Sequence, residues 1–121
     1  MKVVVIAELV EHERRVAMVP ELVGKLTGAG LDVLVEAGAG RHSLHSDEAY
    51  EAAGATIARG DVLRDADVVL SVQPLDPARL AALRSGTITI SFLPATQELD
   101  IVRAARDAEV TALSVELVPR I

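Results

Sequence analysis

A chain of 121 residues, half of them apolar, is large enough for one hydrophobic core, and its 18 acids against 12 bases (net charge −6) leave no basic footprint for nucleic acid. The absence of cysteine excludes disulfides, thiol nucleophiles and thiolate metal sites. No apolar run reaches the roughly 18 residues a membrane span needs, so direct insertion into a bilayer is not expected.

In chain order, β-branched apolar runs alternate with helix-like segments. The runs are VVVIA (3–7), DVLVEA (32–37), ATIA (55–58), DVVLSV (67–72), TITISFL (87–93) and VTALSVEL (110–117). They lack clean polar alternation, as expected of strands in a parallel sheet with both faces covered. After the first run, Pro20 suits a first helical position, Leu22, Val23, Leu26 and Ala29 share a face, and Gly28 and Gly30 offer stops. Ser46 can cap DEAYEAAG, with Asp47 and Glu48 in the first turn. The stretch 60–66 reads as a single-turn helix. Asp76 and Pro77 open ARLAALR, closed by Gly86, and Thr96 can cap QELDIVRAARDA. With only Tyr50 and Phe92 aromatic, the core must be aliphatic. The pattern predicts an α/β, flavodoxin-like three-layer sandwich with a mainly parallel sheet of five or six strands.

Ligands of such sheets bind beyond the carboxyl ends of the strands, where the residues least explained by packing fall. Arg14 and Arg15 follow the first strand, GAGRHS the second, Gln73 and Pro74 the fourth, LPAT the fifth and VPRI the sixth. GAGRHS lacks the third glycine of a dinucleotide fingerprint and does not open a helix directly after the first strand, so a glycine-rich turn is the better reading. His42 and His45 near Asp47 show no third or fourth ligand, and no metal is expected. His12 has no nucleophile beside it and reads as a surface histidine. An arginine fork suits a carboxylate. That carboxylate is either a ligand's or that of Glu11 or Glu13 nearby.

The blocks RRVAMVP, VEAGAG, SDEAYEAAGA, ADVVLSVQP, SFLPA and ELVPRI, in this order through nearly the whole chain, resemble the amino-terminal domain shared by alanine dehydrogenase and the α subunit of proton-translocating NAD(P) transhydrogenase. Alanine dehydrogenases of this kind carry an arginine at Arg15 for the substrate carboxylate, a lysine where this chain has Gln73, and a histidine where it has Pro94. Glutamine supplies no ammonium charge and proline no transferable proton. The resemblance therefore leans to the transhydrogenase branch, in which hydride passes directly between nicotinamides. It implies that Arg120 lies against bound NAD(H), that Arg15 and Gln73 are cleft positions, and that this chain contributes no catalytic acid or base. It further implies a homodimer, membrane-embedded and NADP(H)-binding partner subunits, and a cytoplasmic location at the membrane through those partners. Residues 1–121 are then expected to be one domain of a longer subunit that continues into a Rossmann domain, inactive alone. The alternatives are an amino-acid dehydrogenase domain and a non-catalytic scaffold or dimerisation module.

Overall fold

Val3, Val4 and Val5 are consecutive and all buried, a pattern a strand can satisfy only when both of its faces are covered. The computed structural model describes residues 1–91, 103 and 106–114. In chain order they form β1 (Lys2–Val5), α1 (Pro20–Gly28), β2 (Asp32–Glu36), α2 (Asp47–Ala52), β3 (Thr56–Ala58), β4 (Val68–Ser71), α3 (Pro77–Ala81), β5 (Ile88–Ser91) and β6 (Thr111–Ser114). The six strands make one sheet in the order β3-β2-β1-β4-β5-β6, parallel at every pairing. The expected α/β class and parallel sheet are present, with the strand count resolved as six. β3 lies outside β2 rather than across β1, because the link from α2 is only a tight turn at Gly54 (φ +109) that returns the chain beside β2. The order therefore reverses between β1 and β4.

Alternate residues of the strands feed two cores. Val5, Val33, Val35 and Val72 pack with Val23 of α1 and Tyr50 of α2. Val4, Ile6 and Val69 pack with Leu63, Leu80 and Leu83 on the opposite face.

Helix ends follow their expected chemistry. Pro20 opens α1, and the chain leaves it through Gly30 (φ +89), with Gly30 N donating to Thr27 O at 3.0 Å and Leu31 N to Leu26 O at 3.1 Å. Ser46 Oγ accepts from Ala49 N at 3.1 Å, and Asp76 Oδ1 from Arg79 N at 2.8 Å.

Three expectations are corrected. Leu22 is exposed, so the buried face of α1 is Val23 with Leu26 packed beside it. Residues 60–66 form no helix: a turn closed by Ala66 N to Leu63 O buries both side chains directly. α3 stops at Ala81, short of Arg84, whose guanidinium donates to Asp67 Oδ1 at 2.6 Å and Ala66 O at 3.1 Å, tying this segment to the start of β4. Of the helix expected after Thr96, residues 103, 106 and 107 are described and helical; Thr96 itself and the segments holding Pro94 and Arg120 lie outside the described residues. Among those described, no helix is long and apolar enough to cross a membrane.

Candidate functional site

Where strand order reverses, the chain leaving one strand turns to one face and the chain leaving its neighbour to the other, opening a crevice at the carboxyl edge. Here β1 continues toward α1 and β4 toward α3. Their exit loops meet through acidic side chains.

Glu8, three residues beyond β1, crosses to the end of β4. Its Oε2 accepts from Val72 N at 3.0 Å and its Oε1 from Gln73 N at 2.9 Å. Burial pushes its carboxyl above the ordinary carboxylate value, against the two N–H donors and Arg79, which favour the charge. Arg79 on α3 is 16% exposed in its side chain and donates from Nη1 to Ala7 O at 3.4 Å. Glu36, ending β2, accepts from Ala7 N at 2.7 Å. Three elements thus converge on the first residues after β1.

Glu13 is the centre of the second half. Arg15 grips it with a fork, Nε to Oε2 and Nη2 to Oε1, both at 2.9 Å, and Arg15 N adds a bond of 3.1 Å to Oε2. Gln73 Nε2 donates to Glu13 Oε1 at 2.7 Å. The Glu13 side chain is 4% exposed and that of Arg15 62%. The Arg15 fork is the first cause holding the Glu13 carboxyl down at about 2, with the Gln73 amide adding to it against burial. Val10, His12, Arg14, Arg15 and Gln73 border an open cleft of about 320 Å³ at this place. The Arg14 carbonyl accepts from the Ser43 hydroxyl, joining this loop to the turn after β2.

A depressed carboxyl stabilises the fold above its unfolded value of 4.5, and that contribution is lost as pH falls toward about 2. Screening around the exposed Arg15 limits it to about 1 kcal/mol. Glu13→Gln is therefore expected to flatten the acid limb of a stability-against-pH curve between pH 4.5 and about 2. An unchanged acid limb in that variant would show the ion pair to be energetically idle.

The structure thus joins Arg15 and Gln73 through an intramolecular carboxylate, one of the two possibilities the arginine pair left open. Arg120 lies outside the described residues. Glu8 and Arg79 escaped the sequence reading, since neither falls in a motif and each has other acids or bases near it in the chain. In the glycine-rich turn, Gly38 (φ +80) donates to Asp47 Oδ1 at 2.9 Å. A Cβ on Gly40 would lie 2.7 Å from Tyr50 Cε2 and 2.8 Å from both His45 Cβ and His45 O. Gly40 is there for packing within the chain. Among the described residues no group of three or more His, Cys, Asp or Glu could hold a metal ion.

Fold and site together define a doubly wound α/β domain with a charged cleft at its switch point. The chain belongs to the family described as alanine dehydrogenase/PNT, N-terminal domain, whose model matches residues 4–121. It is 39% identical over 128 aligned residues to an NAD(P) transhydrogenase subunit alpha protein of Rhodospirillum rubrum, covering 100% of this chain and 33% of that protein. It is 38% identical over 112 aligned residues to the alanine dehydrogenase of Bacillus subtilis, covering 92% of this chain and 30% of the relative. Its fold matches the crystal structure of transhydrogenase from Sinorhizobium meliloti with a TM-score of 0.93 at 36% identity, over 100% of this chain and 36% of that one. An L-alanine dehydrogenase structure shares the fold alone, with a TM-score of 0.88 at 24% identity over 96% of this chain and 32% of that one. The chain spans about a third of the length of these curated relatives, and the family includes oxidoreductases.

Proposed function

We propose that this chain is the amino-terminal portion of the NAD(H)-binding α subunit of a proton-translocating NAD(P) transhydrogenase, working in an assembly that transfers hydride between NAD(H) and NADP(H). Identities of 39% and 38% do not choose between the two branches. The observation that carries the choice is Gln73. Its amide is bound to Glu13 at 2.7 Å, and it stands where the alanine dehydrogenases resembling this chain place a lysine. A neutral amide held by a resident carboxylate offers no cation for an amino-acid or oxo-acid substrate. Pro94 likewise offers no transferable proton.

NAD(H) supplies the hydride in this reading. The glycine turn after β2 does not read as a pyrophosphate cradle, because Gly40 is packed from within the chain against Tyr50 and His45. The dinucleotide is then held chiefly by chain outside these residues, and this domain contributes a cleft wall, with Arg120 against the nicotinamide as the resemblance implies. The isolated domain is inactive. The subunit works as a homodimer, held at the cytoplasmic side of the membrane by membrane-embedded and NADP(H)-binding partners.

The test uses the protein at its natural length, captured with its copurifying partners and assayed for NADH-dependent reduction of NADP and for alanine-dependent reduction of NAD. The first activity without the second supports the proposal. Alanine-dependent reduction overturns it in favour of an amino-acid dehydrogenase, the reading that the retained Arg15 would favour, and neither activity leaves the scaffold.

A further inference from the structure

We propose that Glu8 is the positioning residue of this cleft: it fastens the residues that leave β4 to the loop that leaves β1, and so keeps Gln73 within reach of the Glu13–Arg15 pair. The proposal deepens the transhydrogenase reading and rests on it only for the reaction the cleft serves.

The geometry is a relay across the switch point. β4 ends at Ser71, and the next two backbone N–H groups, of Val72 and Gln73, both turn to one carboxylate, each to a different oxygen. Val72 is 1% exposed, so one end of that clamp is set in the core. The Gln73 side chain springs from the other clamped residue and ends on Glu13, which in turn holds the Arg15 fork. Beyond Gln73 the chain is held separately, by the Asp76 cap on α3. Glu8 therefore anchors the residue whose side chain bridges the cleft, and no helix cap does so.

The charged groups facing Glu8 are few. Arg79 comes from α3 with Asp76 beside it, and Glu13 comes from Glu8's own loop. Burial and Glu13 raise the carboxyl, while the two N–H groups and Arg79 oppose them. A raised carboxyl favours the fold below its unfolded value and loses that advantage as pH rises, so ionised Glu8 costs stability near neutrality. Its position is explained by what it orders.

The experiment records ¹H–¹⁵N spectra of the natural-length protein, following the Gln73 side-chain amide and the Arg15 Nε–H from neutral to acid pH. In the wild type the bonded Gln73 amide proton is expected to stay displaced from its free-glutamine position at neutral pH, and to move toward that position with an apparent pKa above the ordinary carboxylate value of 4.5, before Glu13 titrates near 2. Glu8→Gln keeps the shape but gives up one acceptor, and should lose both that displacement at neutral pH and the titration step. Glu8→Asp, charged but too short for both bonds, should keep a weakened step. Persistence of the wild-type signature down to the titration of Glu13, or an unaltered signature in E8Q, would overturn the proposal. Should E8Q fail to fold, the wild-type titration decides alone. None of these readouts depends on turnover, so a failure of the hydride-transfer assay would count against the proposed reaction and leave this test standing.

Discussion

Replacing Tyr50 with alanine is expected to destabilise the fold by about 3–5 kcal/mol, as for a large buried aromatic, and Tyr50→Phe by about 1–2 kcal/mol. Tyr50 is 0% exposed and contributes the ring of α2 to the core shared with Val5, Val23 and Val35. Its hydroxyl donates to Met18 O at 2.7 Å. Met18 closes the loop that began with Glu8, after the buried Val16 and Ala17. The phenol thus pins the far end of the cleft loop while Glu8 pins the near end. Phenylalanine keeps the packing and leaves the Met18 carbonyl without that donor, so the difference between the two variants separates the ring from the hydrogen bond. Burial first, then Glu21 and Asp47, push the phenol up to about 12 from 10. Its contribution is intact below about pH 10 and is lost as pH rises through about 12. Denaturant unfolding at neutral and alkaline pH checks both predictions. Equal stability of Tyr50→Phe and the wild type at neutral pH, with the same alkaline limb, would refute the role given to the hydroxyl.

The strands were legible because a run such as VVVIA, apolar at every position, suits only a sheet covered on both faces. The caps at Ser46 and Asp76 were legible because a short acceptor side chain before a helix has one local use. The turn at 60–66 was not, since Leu63 and Ala66 have helical spacing and are buried by a turn just as well. α3 was overrun for a long-range reason, the Arg84 bonds to Asp67 and Ala66. The site divided in the same way. Arg15 and Gln73 stood out singly, but Gln73 and Glu13 are 60 positions apart. Their meeting depends on β1 lying beside β4, a strand order that local pattern does not contain. Glu8 was hidden by the acids around it in AELVEHE, and Arg79 by the ordinary look of a basic residue on a short helix.

Gly40→Ala should cost about 1–3 kcal/mol as an overpacked core does, while Gly24→Ala should stabilise by about 0.5–1 kcal/mol. Neither glycine has a positive φ, so the difference is one of space. A Cβ at Gly24, inside α1, meets nothing within 4 Å, whereas one at Gly40 comes within 2.8 Å of His45 Cβ and of the His45 carbonyl, and within 2.7 Å of the Tyr50 ring. A flexible side-chain end could give way, but Tyr50 is held by its bond to Met18 and His45 O is backbone. The turn must therefore move, and with it Ser43, whose hydroxyl donates to the Arg14 carbonyl in the cleft loop. Gly40→Ala should thus disturb the cleft as well as the core, shifting the Arg15 Nε–H resonance while Gly24→Ala leaves it in place. If Gly40 were kept for a phosphate, the alanine variant would instead lose nucleotide affinity at little cost in stability. Thermal unfolding of the two variants beside an NADH titration separates these cases, and a tolerated Gly40→Ala with weakened NADH binding would make the turn after β2 a cofactor contact after all.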